Sequence, residues 1–257
     1  MQHFFISPED IEGGIAYIRG QDRHHIANVL RMRTGEELLI STGEDWDYLC
    51  TIKSIDDDKV ELLVKSENEA ARELKVRLVL YQALPKSDKM ELIIQKAVEL
   101  GVHSIVPFTS KRVIVKLDEK SGENKTKRWQ RISESAAKQS KRSIIPEVKA
   151  PISFKQMLKD IADYDKAYLA YEEARGTESA REAFASAKQY KSIAVCIGPE
   201  GGFEEQEIEA AKEAGFEIIS LGSRILRTEN PRFLGSVQFF VKACHIRLYR
   251  HIIHSFK

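Results

Sequence analysis

The chain has 257 residues, 42% hydrophobic and 31% charged, with 40 Lys+Arg against 39 Asp+Glu and a formal net charge of +1. That length buries a core without crosslinks, and the composition excludes the disordered and collagen-like classes. No run approaches the roughly 18 apolar residues of a membrane span, and the start, MQHFFISPEDIEGG, lacks the basic-then-apolar order of a secretory signal.

Residues 1 to about 72 read as short strands and turns, and a small β-barrel is the natural expectation. A helix from about Asp22 to Met32 interrupts it, with Ile26, Val29, Leu30 and Met32 as its apolar set. Strands follow over Glu37–Ile40, Tyr48–Ile55 and Val60–Lys65, the last two joined by the turn Asp56–Lys59. The polar run Ser66–Glu73 then separates this region from a different texture, so the expected domains are 1–72 and 73–257.

In the second region Val76–Ala83 is a buried-strand run, and Asp88 with Glu91 resembles a capping box opening a helix to Leu100, stopped by Gly101. Strand Ile105–Phe108, a basic helix Lys125–Lys141 and a helix Phe154–Ile161 come next. Strands Ala167–Tyr171 and Ile193–Ile197, helix Glu204–Ala214 and strand Glu217–Leu221 complete the pattern. Strands alternating with helices imply an α/β domain built on a mostly parallel sheet.

Charge is segregated. Lys111–Arg142 carries eleven Lys/Arg against four acids, and the 34 residues from Arg224 carry seven against one. Such clustering is what a polyanion-binding face, or merely a solvated helix face, looks like in sequence. The three cysteines, Cys50, Cys196 and Cys244, form no CxxC pair. A disulfide framework and a metal site are therefore not expected, and a reducing cytoplasm is the default location.

Two loops stand out because each directly follows a buried strand, where ligands of α/β sheets bind. The first, Ile197-Gly198-Pro199-Glu200-Gly201-Gly202-Phe203, is neither a P-loop nor GxGxxG, and Glu200, with Glu204 and Glu205 opening the next helix, would repel a phosphate. A neutral or cationic ligand suits it better, the alternative being a tight strand-to-helix turn. The second, Leu221-Gly222-Ser223-Arg224-Ile225-Leu226-Arg227-Thr228-Glu229, sets arginines beside apolar residues that could enclose a nucleobase.

Taken together with Leu84-Pro85-Lys86-Ser87-Asp88, Arg128-Trp129, Ala136–Arg142, Ala170-Tyr171-Glu172-Glu173 and the N-terminal His24–Gly35, these loops resemble the RsmE family. Its members are SPOUT-superfamily enzymes that methylate N3 of a uridine in 16S ribosomal RNA with S-adenosylmethionine. The resemblance covers roughly residues 1 to 229. It implies a PUA-like β-barrel followed by a SPOUT domain with a C-terminal trefoil knot, a homodimer, no metal, and 16S ribosomal RNA or the small subunit as partner.

Carried over, the cofactor shell would be Leu169, Ala170, Tyr171, Glu172, Ile197, Gly198, Pro199, Glu200, Gly201, Gly202, Leu221, Gly222, Ile225, Leu226 and Arg227. Arg227 would stabilise developing charge on the uracil, and Glu229 could act in acid/base chemistry. His3, Arg23, His24, Arg31, Arg33, Lys86, Arg128 and Arg142 would contact RNA, and Glu99 could orient one of them. Residues 230–257 depart from the family pattern just where knot and dimer contact should be completed. The competing expectations are a ribose 2′-hydroxyl methyltransferase and a non-catalytic RNA-binding protein.

Overall fold

The structure, a computed structural model, describes residues 1–43, 46–69, 73–114, 118–171 and 189–220. Its contacts divide into two units: Met1–Glu73 with Ala137–Ile145, and the described residues of Leu74–Ala136 with Pro146 onward.

The first unit is a sheet ordered β1-β4-β5-β6-β3-β2. The strands are β1 (Gln2–Phe5), β2 (Ile11–Glu12), β3 (Ile15–Arg19), β4 (Glu37–Ser41), β5 (Trp46–Ile55) and β6 (Lys59–Glu69). β1 and β4 are parallel, and the other neighbours antiparallel. Strand alternation places Leu38 and Ile40, Cys50 and Ile52, and Val60 and Leu62 in one core with Phe4, Ile18 and Ile26. Register breaks at Leu49/Cys50 and Ile52/Ser54 mark where β5 and β6 bend.

The expected Asp22–Met32 helix is instead α1 (Gly20–His24) continued by one π-turn, His25–Val29. The wider turn bonds Leu30 N to the His25 carbonyl at 2.9 Å and turns Val29 outward, 59% exposed, while Ile26 stays in the core. β6 also runs through Ser66–Glu69, which the polarity of that run had suggested was a linker.

Residues 137–145 group with this unit through polar pairs. Lys138 Nζ bonds Asp22 at 3.0 and 3.2 Å, and Ser143 Oγ donates to Asp47 Oδ2 at 2.8 Å. The Arg142 guanidinium pairs with Glu73. An unbroken domain over 73–257 does not describe these contacts.

The second unit is a parallel sheet ordered β10-β8-β7-β12-β11-β13, with β9 beside β8. Its strands are β7 (Arg77–Ala83), β8 (Ser104–Thr109), β9 (Glu147–Val148), β10 (Ile152–Ser153), β11 (Lys166–Ala170), β12 (Ser192–Ile197) and β13 (Glu217–Ile219). Helices α2 (Lys89–Glu99), α3 (Glu119–Ser140), α4 (Phe154–Asp160) and α5 (Glu205–Glu213) accompany them.

β7, β8 and β12 are almost wholly buried, as expected of parallel strands covered on both faces. Met157 of α4 and Ile208 and Ala211 of α5 pack with Val79, Tyr81, Phe108, Leu169 and Cys196 on one face. α2 buries the expected stripe Met90, Ile93, Ile94, Ala97 and Val98. Its Asp88 makes no side-chain cap, so the capping box read there does not form; Glu91 turns instead to Arg128. The trefoil knot expected near the C-terminus falls on residues 221–257, outside the described residues.

Candidate active site

Strand register builds the site. Ala170 of β11 pairs with both Ile197 of β12 and Ile219 of β13, and Ile197 pairs with Gln82 of β7. Four parallel strands thus end at one level on the same edge of the sheet. β11 lies between β12 and β13, so the chain from β12 through α5 to β13 passes over it. Such a crossover is the usual place for a ligand in an α/β sheet.

The loop after β12 is held by its neighbours. Gly202 N donates to the Pro199 carbonyl at 2.9 Å, and Gly202 takes φ +69°, a left-handed conformation that favours glycine. Gly198 has no room for a side chain, because a Cβ there would lie 2.8 Å from the Phe203 ring. That ring is stacked on Phe108 and packed beside Phe154. A Cβ on Gly201 would meet Arg112 at an ordinary 3.5 Å, so of these two glycines Gly198 is the crowded one.

Glu200 ties this loop to the one after β7. Its Oε1 accepts from Lys86 N at 3.1 Å and Lys89 Nζ at 3.2 Å. Partial burial pushes the carboxyl up, but backbone donors at Glu200 and Lys86 and the Lys89 ammonium outweigh it and hold the group below the usual range. Of the expected phosphate-repelling carboxylates, Glu204 is also partly offset, pairing with Lys111 at 3.0 Å, and Lys111 N donates to the neighbouring Glu207 at 3.0 Å. Glu204 and Glu207 form a capping box that opens α5.

Arg112 donates to the Gly201 carbonyl at 2.9 Å, fixing the tip of the loop. Nothing in the sequence singled it out, since it sits in a basic stretch of eleven such residues.

Beyond β7, the Leu84–Asp88 turn and α3 border an open cavity of about 180 Å³ lined by Pro85, Met90, Trp129, Ser87, Asp88 and Lys125. Ser87 is held at φ +58°, a left-handed conformation that costs a non-glycine residue roughly 1–3 kcal/mol.

The cofactor residues expected from sequence divide accordingly. Leu169 and Ile197 are fully buried strand positions, so their side chains belong to the sheet interior. Ala170 ends β11, and Tyr171 N donates to the Ile219 carbonyl at 3.1 Å. Gly198, Pro199, Glu200, Gly201 and Gly202 form the held loop. Glu172, Leu221, Gly222, Ile225, Leu226, Arg227 and Glu229 lie outside the described residues.

Two of the expected RNA contacts are corrected. His3 is buried, its Nε2 within 2.7 Å of Ser41 Oγ in a chain that continues to Asp47 and Ser143. Arg142 is buried against Glu73. Sequence shows residue type and not depth, and at both positions the side chain is turned inside the first unit.

Arg23 is largely engaged too, donating to the Asp56 carbonyl at 2.8 Å and to Asn28 at 3.3 Å. His24, Arg31, Arg33, Lys86 and Arg128 are exposed, the last paired with Glu91 at 2.6 Å. Glu99 bonds Lys96 within its own helix. Among the described residues no cluster of three or more His, Cys, Asp or Glu could hold a metal, and no helix is long and apolar enough to cross a membrane.

The chain is similar to known proteins over most of its length. The family model for the RNA methyltransferase domain matches residues 72–231, and that for the RNA methyltransferase PUA domain matches residues 18–65. Ribosomal RNA small subunit methyltransferase E of Bacillus subtilis is 40% identical over 235 residues, spanning 89% of this chain and 92% of that protein. The Neisseria gonorrhoeae enzyme of the same name, solved bound to S-adenosylmethionine, superposes with a TM-score of 0.79 at 29% identity, covering 93% of this chain and 95% of that one. A Legionella pneumophila methyltransferase in complex with the same cofactor gives 0.77 at 29% identity, covering 92% and 96%.

Proposed function

The chain belongs to the RNA methyltransferase family, and on that premise we propose that it methylates N3 of a uridine in 16S ribosomal RNA, with S-adenosylmethionine as methyl donor. The observation that carries this reading is the common level at which β7, β12, β11 and β13 end, on the edge of the sheet from which the glycine loop after β12 departs.

The residues present fit the donor. The loop Gly198–Gly202 offers backbone groups and an acidic side chain, and it lacks the Lys-Ser/Thr of a phosphate-binding P-loop. That chemistry suits a ligand carrying a sulfonium and an ammonium charge and no phosphate. When bound, S-adenosylmethionine supplies an electrophilic methyl group.

The chain's own work is to position that donor and the base. Arg112 and Lys89 fix the glycine loop from either side, through Gly201 O and Glu200. Arg227 is assigned to stabilising the uracil anion as the N3 proton leaves, and Glu229 to acid/base chemistry. His24, Arg31 and Arg33 on the first unit, and Lys86 and Arg128 on the second, are assigned to phosphates. A trefoil knot at the C-terminal end of the sheet, a PUA-like barrel as the first domain, action on 16S RNA in the cytoplasm and a homodimeric state complete the proposal.

The test is mass spectrometry of nucleosides from 16S ribosomal RNA, offered naked and as small subunits, after incubation with the purified protein and S-adenosylmethionine. The expected product is 3-methyluridine. A 2′-O-methylated nucleoside, or no new methylated nucleoside, overturns the assignment.

A further inference from the structure

We propose that the cavity between the Leu84–Asp88 turn and α3 is the pocket for the base that is to be methylated, and that Asp88 and Lys125 select uracil there. This rests on the methyltransferase reading above and assigns its base-recognition site.

Place comes first. The turn leaves β7, whose Gln82 is paired with Ile197, the last residue before the glycine loop. Lys86 N and Lys89 Nζ both bond Glu200 of that loop, so the turn that walls the cavity and the loop assigned to the donor are held together on one side chain. A base in the cavity would therefore lie beside the donor loop.

Size and lining come next. At about 180 Å³ the cavity is below the roughly 300–1,000 Å³ of sites for drug-sized ligands, and it suits one heterocycle rather than a whole nucleoside of adenosine size. Pro85, Met90 and the indole of Trp129 give the apolar and aromatic walls on which an extruded base is read. Trp129 is only 4% exposed, so its contribution to the cavity is fixed by the fold. Lys125 Nζ lies 5.9 Å from the centre of that ring, which places an ammonium group at the aromatic wall.

The polar groups point to uracil. Asp88 opens α2 without capping it, leaving its exposed carboxylate as an acceptor at the cavity rim. The Watson–Crick edge of uracil presents N3–H between two carbonyl oxygens. A carboxylate accepts from N3–H, and Lys125 or the Ser87 hydroxyl donates to the flanking carbonyls. Cytosine has an unprotonated N3, so the carboxylate would face a lone pair and reject it.

Binding is read from tryptophan fluorescence in a full-length Trp46→Phe protein, where Trp129 is the lone tryptophan, with S-adenosylmethionine present. Uridine monophosphate is expected to quench saturably, with cytidine and adenosine monophosphates at least tenfold weaker. Asp88→Asn is expected to reduce that preference for uridine to under threefold, and Lys125→Met to weaken uridine monophosphate at least fivefold. Both variants should leave affinity for S-adenosylmethionine, measured by calorimetry, within twofold. Equal quenching by all three nucleotides, quenching by none, or an unchanged preference in Asp88→Asn overturns the pocket. A parallel loss of donor affinity in the two variants also overturns it, by assigning the cavity to the donor. Donor binding and methyl transfer by the protein with native Asp88 and Lys125 are measured in the same series, so failure of the pocket is distinguished from failure of the methyltransferase reading.

Discussion

Glu73 and Arg142 form a bidentate pair at the end of the first unit, with side chains 12% and 5% exposed. Glu73 Oε1 also accepts from Ser143 N at 2.9 Å, so one carboxylate fastens both a guanidinium and the backbone that follows it. Removing one partner leaves the other charge buried and uncompensated, which costs about 3–5 kcal/mol. Glu73→Ala is expected to lose about that much in denaturant unfolding. The double variant Glu73→Leu with Arg142→Met should recover most of it, because a buried ion pair is often replaceable by apolar groups of similar volume. A loss below 1 kcal/mol in the single variant would show that the pair does not hold the segment.

Gly198 carries a second prediction. Its would-be Cβ lies 2.8 Å from Phe203 Cε2, and that ring cannot move freely between Phe108 and Phe154. Gly198→Ala is expected to cost about 1–3 kcal/mol, as overpacking of a filled site does, and to weaken S-adenosylmethionine binding by displacing the loop. Gly201→Ala meets Arg112 at ordinary contact distance and should leave the midpoint of unfolding unchanged within error. The paired melting curves decide the matter: equal stability of the two variants contradicts the packing described.

The buried-strand runs of β7, β8 and β12 were legible because parallel strands covered on both faces read as continuous apolar sequence. So was the place of the glycine loop, directly after such a run. What escaped was everything decided by partners distant in sequence. Residues 137–145 join the first unit through Arg142, Ser143 and Lys138, each of which looks like an ordinary polar surface residue in the chain. Ser66–Glu69 extend β6 because backbone pairing with β5 needs no apolar side chain. Arg112 shows no local pattern, since its role is a single bond to a carbonyl 89 positions away.

Glu200 predicts a pH dependence. Its carboxyl is held below the ordinary value, so its contribution is fully present above the unfolded-state pKa of about 4.3 and is lost as pH falls through the lower folded value. The tether from the glycine loop to Lys86 and Lys89 should therefore be intact at neutral pH and open only under acid conditions. Carboxyl carbon NMR of Glu200 is expected to titrate below a model glutamate. Glu200→Gln should weaken S-adenosylmethionine binding at pH 7 and remove the acid-dependent difference. A Glu200 midpoint at or above the model value would contradict the tether.

The thiols give a prediction that depends on packing alone. Burial pushes Cys50 up to about 12 and Cys196 well above the ordinary value, the latter with its sulfur 3.4 Å from Met157 Sδ in the sheet core. At pH 8 about one Cys50 in ten thousand would be thiolate, the form that reacts, and both sulfurs are shielded from reagent. Cys244 lies outside the described residues, so the measurement uses Cys244→Ser, in which Cys50 and Cys196 are the remaining cysteines. With Ellman's reagent at pH 8 this variant is expected to release almost no colour while folded and two equivalents once unfolded in guanidinium. Slow labelling should accelerate with denaturant in step with global unfolding, because neither core opens locally without losing the strand that carries its cysteine. Rapid labelling of either residue in the native protein would contradict the packing of β5 or β12 described above.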